Sequence, residues 1–94
     1  MSNVTNTLQE RGSRYGEFKD HAEITQRLKG ESAHFLNKHN KVLSTAHQEA
    51  LDMIFHKIGR ILNGDPNYED SWHDIAGYAT LAEKECKNEK KSIS

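Results

Sequence analysis

The sequence predicts an all-α protein, a small bundle of three to four helices completed by oligomerisation. Three observations carry that expectation. Apolar residues recur at helical spacing over 45–63 and again over 71–87, with helix-start and helix-stop residues at the right ends. No stretch alternates apolar and polar residues for long enough to make a useful strand. Finally, 94 residues with 34% hydrophobic content make one domain that is lean in core material, since the smallest domains hide only about 60% of their unfolded surface. The domain is expected over 1–88, followed by a polar, frayed tail over 89–94.

Residues 3–11 can form a short helix carrying Val4 and Leu8, stopped by Gly12. Gly12 and Gly16 then bracket a turn that presents Arg14 and Tyr15. A second helix is expected from about Gly16 to Lys29, with Phe18, His21, Ala22, Ile24, Thr25 and Leu28 near one face and Gly30 as its C-cap. The stretch "ESAHFLNKHNKVL" reads as a connector, because Asn37, His39 and Asn40 favour a loop.

The third helix is the clearest. Ser44 or Thr45 caps it, and it runs to Asn63 before Gly64 and Pro66. Ala50, Leu51, Ile54, Ile58, Ile61 and Leu62 form an apolar stripe, opposite a polar line of Glu49, Asp52, His56 and Arg60. The fourth helix is expected to start at an S-x-x-D pair, Ser71 and Asp74, and to reach about Lys87, burying Trp72, Ile75, Ala76, Ala79, Ala82 and Cys86.

Thirteen basic against fourteen acidic residues give a formal charge of -1, which excludes the polycationic surface that binds duplex nucleic acid by counterion release. A single cysteine excludes an internal disulfide and a cysteine-rich zinc module. No window approaches the roughly 20 apolar residues that cross a bilayer, and "MSNVTNTLQERG" lacks the pattern of a signal peptide, so a cytoplasmic location and no membrane partner are expected.

Two like-charged pairs carry candidate chemistry: Glu49 with Asp52 at i, i+3 and Asp70 with Asp74 at i, i+4. Carboxylates so spaced share a side of a helix and repel mildly, and a divalent cation would turn that cost into binding. Magnesium suits carboxylate oxygens and takes phosphates as further ligands. The plainer alternative is that both pairs are solvated faces, with Asp70 and Asp74 favouring a helix N-terminus.

"HKIGR" puts Lys57 and Arg60 where they could meet phosphate, or where they simply complement a helix C-terminus. Arg14 and Tyr15 are further candidates for substrate contact, and Tyr15 and Tyr68, in turns, are better placed than Trp72 to stack on a ligand. His73, beside two aspartates, is a candidate general base together with Asp74, or else a surface histidine paired with an acid. Gly59 and Gly77 sit inside helices at a cost of up to about 1 kcal/mol each, most often offset by close packing.

"ERGSRYGEFKDHAEI" and "HKIGRILNGDPNYEDSWHDIAGYATL" closely resemble a family of short, uncharacterised proteins encoded by phages and prophages. That family is distantly similar to MazG-type all-α nucleoside triphosphate pyrophosphohydrolases. The resemblance implies a magnesium-dependent enzyme that splits a nucleoside triphosphate into monophosphate and pyrophosphate, with Glu49, Asp52, Asp70 and Asp74 holding the metal. This chain departs from the family pattern of E-x-x-E followed by E-x-x-D, having E-x-x-D followed by D-x-x-x-D. Two other functions remain open: a non-catalytic protein that sequesters a nucleotide-derived defence signal, and one that binds and disables a host protein.

Overall fold

The computed structural model describes residues 15–93. Among them are three helices and no strand: α1, Phe18–Lys38; α2, Thr45–Asn63; and α3, Glu69–Ile93. The all-α expectation is met. The short helix expected over 3–11, and Arg14 with it, lie outside the described residues.

α1 corrects the sequence reading at its C-terminal end, because it continues through Gly30 and through most of the expected connector. Nothing lies within 4 Å of where a Gly30 side chain would be, so this glycine answers to no contact and merely weakens a helix that docking on α2 sustains. The loop-forming residues mark the end of α1. Asn40 adopts φ 54, a left-handed conformation that asparagine tolerates, while Lys41 N–H donates to the Leu36 carbonyl at 2.8 Å and Asn40 N–H to that of Asn37 at 3.1 Å.

α2 begins and ends as expected. The Ser44 hydroxyl accepts from His47 N–H at 3.1 Å, and Gly64 N–H closes the helix on the Arg60 carbonyl at 2.9 Å. α3 starts at Glu69, two residues before the expected cap. Ser71 is buried as the third residue of the helix and Asp74 turns to Lys57, so the S-x-x-D pair does not cap. The helix also continues to Ile93 through most of the expected tail.

α2 is the central element, packed on α1 along one side and on α3 along the other, and α1 and α3 do not touch. His56, Gly59 and Asn63 meet α1 or the residues before it, whereas His47 and Lys57 meet α3. At about 100° per residue these two sets stand on opposite sides of α2, so the three helices lie side by side in one open layer. The layer measures 56 × 26 × 25 Å, with a radius of gyration of 16.2 Å against about 12 Å for a compact domain of this length.

The consequence is a small core. Among the described residues Ala50 is the one apolar side chain that is buried; the other buried side chains are His21, Thr25, Lys57 and Ser71. Half of the expected apolar stripe meets α3, while Leu51, Ile58 and Leu62, together with Phe55, lie along one broad face of the layer. The expected buried face of α3 is corrected in the same way: Trp72, Ala76, Ala79 and Cys86 are exposed, and the side turned to α2 carries Ser71, Asp74 and Ala82. The Trp72 indole N–H donates to the Pro66 carbonyl at 2.8 Å while its ring stays 56% exposed.

Candidate functional site

The other broad face of the layer gathers polar groups, and its focus is the C-terminal half of α2. Asn63, in the last turn, donates through Nδ2 to the carbonyls of Tyr15 and Glu17, each at 2.8 Å, tying the lead-in of α1 to the end of α2. Gly16, between those carbonyls, has φ +76, and a Cβ there would run into Asn63. Glycine is therefore required for this close approach.

The tie places Tyr15 against Arg60. The guanidinium carbon lies 4.2 Å from the ring centroid, and Tyr68, from the loop before α3, stacks on Tyr15 at 6.0 Å and 23°. The Tyr68 hydroxyl donates to Asp70 at 2.9 Å. The guanidinium thus rests over the aromatic ring, and among the described residues Arg60 has no carboxylate partner. A planar fork held this way can accept a phosphate or carboxylate in two parallel hydrogen bonds.

One turn back along α2, Lys57 is buried and its ammonium lies 2.9 Å from Asp74 on α3. The hydrogen bond from Lys57 holds the Asp74 carboxyl below its usual range. Two residues expected to act separately, one on phosphate and one on metal, thus neutralise each other. Asp74 also borders an open groove on α3 with His73, Gly77, Tyr78 and Leu81. His73 is exposed, and no atom would lie within 4 Å of a Gly77 side chain, so within one chain Gly77 answers to no close packing.

Towards α1 the central feature is a histidine pair. His21 Nε2 and His56 Nδ1 are 3.2 Å apart with rings edge to face. Burial, reinforced by the Arg60 charge, lowers both basicities and brings His56 to about 4. At neutral pH both are uncharged, and one ring nitrogen donates while the other accepts. Gly59 makes room for them, since a Cβ there would lie 2.8 Å from Thr25 Cγ2 and 2.9 Å from the His21 ring.

Glu49 and Asp52 face a different neighbourhood. They line the groove between the C-terminal half of α1 and the start of α2, with Lys29, Ala33 and Leu36 across from them, and Asp52 accepts from Gln48 at 3.0 Å. Asp52 is five residues from Lys57, which is about 7.5 Å of helix rise and about 140° of rotation. The acidic pair on α2 is thereby set apart from Asp70 and Asp74. Among the described residues no three His, Cys, Asp or Glu side chains gather closely enough to hold a metal ion.

Of the expected substrate-binding residues, Tyr15 and Arg60 are brought together and Lys57 stands nearby in an ion pair. Sequence does not single out Asn63, which extends the polar line of Glu49, Asp52, His56 and Arg60 by three residues and so reads as one more solvated position. No helix among the described residues is long and apolar enough to cross a membrane. A family model described as a domain of unknown function (DUF6378) matches residues 2–86. No curated protein and no solved structure matches the chain.

Proposed function

The chain belongs to the DUF6378 family, whose description names no activity, and from its own residues we propose a nucleotide-handling protein that binds phosphate at the Tyr15–Arg60 end of the polar face. The observation that carries the proposal is the Tyr15–Arg60 contact at 4.2 Å. It is built by residues far apart in sequence, secured by two hydrogen bonds from Asn63, and leaves the guanidinium edge without an acidic partner among the described residues. The fork supplies phosphate recognition, and the Tyr15–Tyr68 pair supplies aromatic surface for a base or sugar.

Pyrophosphohydrolysis, the reaction the resemblance implies, asks for more. Glu49, Asp52, Asp70 and Asp74 would have to share magnesium, with His73 or Asp74 activating water, and one chain does not gather them. The favoured mode is therefore binding without turnover, the ligand being a nucleotide or nucleotide-derived signal held intact. With the resemblance to phage-encoded proteins, this reading places the action in the cytoplasm of an infected cell.

Thermal stability of the purified protein against a panel of nucleotides, with and without magnesium, followed by chromatography of each mixture, tests the proposal. A shift with the ligand recovered intact, lost in Arg60→Lys, is the expected result. Magnesium-dependent appearance of monophosphate and pyrophosphate would replace binding with hydrolysis. No shift with any nucleotide would overturn the nucleotide reading and turn attention to a host polypeptide.

A further inference from the structure

The broad face opposite the polar site is apolar across all three helices. Leu51, Phe55, Ile58 and Leu62 on α2 follow one another at i, i+4, i+7 and i+11, and none of these positions is fully buried. With α2 and α3 antiparallel and the Lys57–Asp74 pair on the polar side, helical geometry puts Trp72, Ile75 and Ala79 on the same broad face. Likewise Ile24, Leu28 and Phe35 of α1 flank it on the side away from the Lys29–Glu49 groove. Leu62 remains 66% and Trp72 56% exposed. A layer with one apolar side is half of an architecture, because stable domains set two such layers around one core.

We infer that this face is the interface with a second copy of the chain, the two layers meeting face to face across a two-fold axis. Area supports a partner of that size. The chain exposes 7265 Å², whereas a compact protein of 10.7 kDa exposes about 5,500 Å². That excess, on the order of 1,800 Å² over the whole chain, is larger than the roughly 1,000 Å² that each subunit of an obligate dimer hides, so the chain has surface enough for such an interface.

A copy of the same chain fits better than an unrelated surface for two reasons. The α2 stripe of Leu51, Phe55, Ile58 and Leu62 carries no charge, and on α3 Glu83, one turn beyond Ala79, is paired with Lys87 at 3.6 Å, so two copies meet there without unpaired like charges. The face also sets bulky Trp72 and Leu62 beside small Ala76 and Ala79, which a two-fold contact can oppose large to small. The inference does not rest on the nucleotide reading, since the Tyr15–Arg60 site lies on the other side of the layer and stays open in the dimer.

Sedimentation equilibrium at micromolar concentration, without any nucleotide, decides the matter. The wild type is expected at twice the 10.7 kDa chain mass, with a melting temperature that rises with protein concentration. Leu62→Glu and Ala79→Glu alter side chains that a lone chain leaves exposed, so each is expected to shift the mass toward the monomer while the helical circular dichroism is kept. Should either variant fail to fold, the concentration dependence of the wild-type melting temperature still decides. A monomeric wild type, or variants that leave mass and melting temperature unchanged, would overturn the inference. A monomer destabilised by removal of residues 1–14 would overturn it too, and would assign the face to the chain's own N-terminal segment.

Discussion

His21 of α1 and His56 of α2 meet edge to face at 3.2 Å, and both are held neutral by burial and by the nearby Arg60 charge. Lys57 and Lys29 add positive charge around His56, and the nearby acid on α3, Asp74, is occupied by Lys57. A histidine with lowered basicity in the fold takes up protons more readily when unfolded. Its contribution to stability is therefore complete above the ordinary value of 6.5 and drains away as pH falls toward about 4. Urea unfolding between pH 7.5 and 4 is expected to lose on the order of 1–2 kcal/mol over that window, allowing for partial solvent screening. His56→Asn is expected to flatten the profile, and an unchanged slope in that variant would place the pH dependence elsewhere.

Gly59 and Gly77 should answer alanine substitution with opposite signs. Alanine is the better helix former at both positions by up to about 1 kcal/mol. At Gly59 the added methyl would sit 2.8 Å from Thr25 and 2.9 Å from His21, so α1 must shift, and overpacking of this kind costs roughly 1–3 kcal/mol. At Gly77 it meets nothing within 4 Å. Gly59→Ala is thus expected to lower the melting temperature and Gly77→Ala to raise it.

Sequence made the helices legible more readily than their arrangement. α2 was readable at both ends because Ser44, Gly64 and an apolar period act locally. The second half of α1 was not, because Gly30, Asn37 and Asn40 signal a stop by local preference, while the packing that sustains the helix comes from a segment later in the chain. On α2 the line of Glu49, Asp52, His56 and Arg60 resembles a solvated face, yet neutral His56 and side-chain-free Gly59 make part of that side a docking surface for α1. Residue types at the site were informative. Their pairing was not: nothing in the spacing says that Lys57 will hold Asp74, or that Tyr15 will lie on Arg60.

The Lys57–Asp74 pair complicates a familiar test of catalysis. Asp74→Asn removes the charge that keeps a buried ammonium paired, so it is expected to destabilise the fold whether or not Asp74 acts on a substrate. Lys57→Met keeps the buried stem and removes the ammonium, and is expected to cost less. Comparing unfolding curves of the two variants with the double variant separates these effects. If Asp74→Asn were as stable as the wild type, a loss of activity in it could be read directly as chemistry.

Asn63 positions Tyr15 without standing at the stacked contact itself, which permits a test of the site that spares its chemical groups. Its two hydrogen bonds hold the Tyr15 and Glu17 carbonyls, and Gly16 between them must keep a positive φ and present no Cβ to Asn63. Asn63→Ala deletes both bonds at the last residue of α2, where helix propensity favours alanine, so the expected loss of global stability is small, about 1 kcal/mol. Gly16→Ala is expected to displace the Tyr15 segment more severely. In both variants Arg60 keeps its charge but loses the ring that orients it. Nucleotide affinity, read by calorimetry, is expected to fall roughly tenfold in Asn63→Ala and further in Gly16→Ala, an orientation loss on the order of 1–2 kcal/mol. Undiminished affinity in both would mean that phosphate is held by charge alone, and the stacked Tyr15–Arg60 geometry would then have no part in recognition.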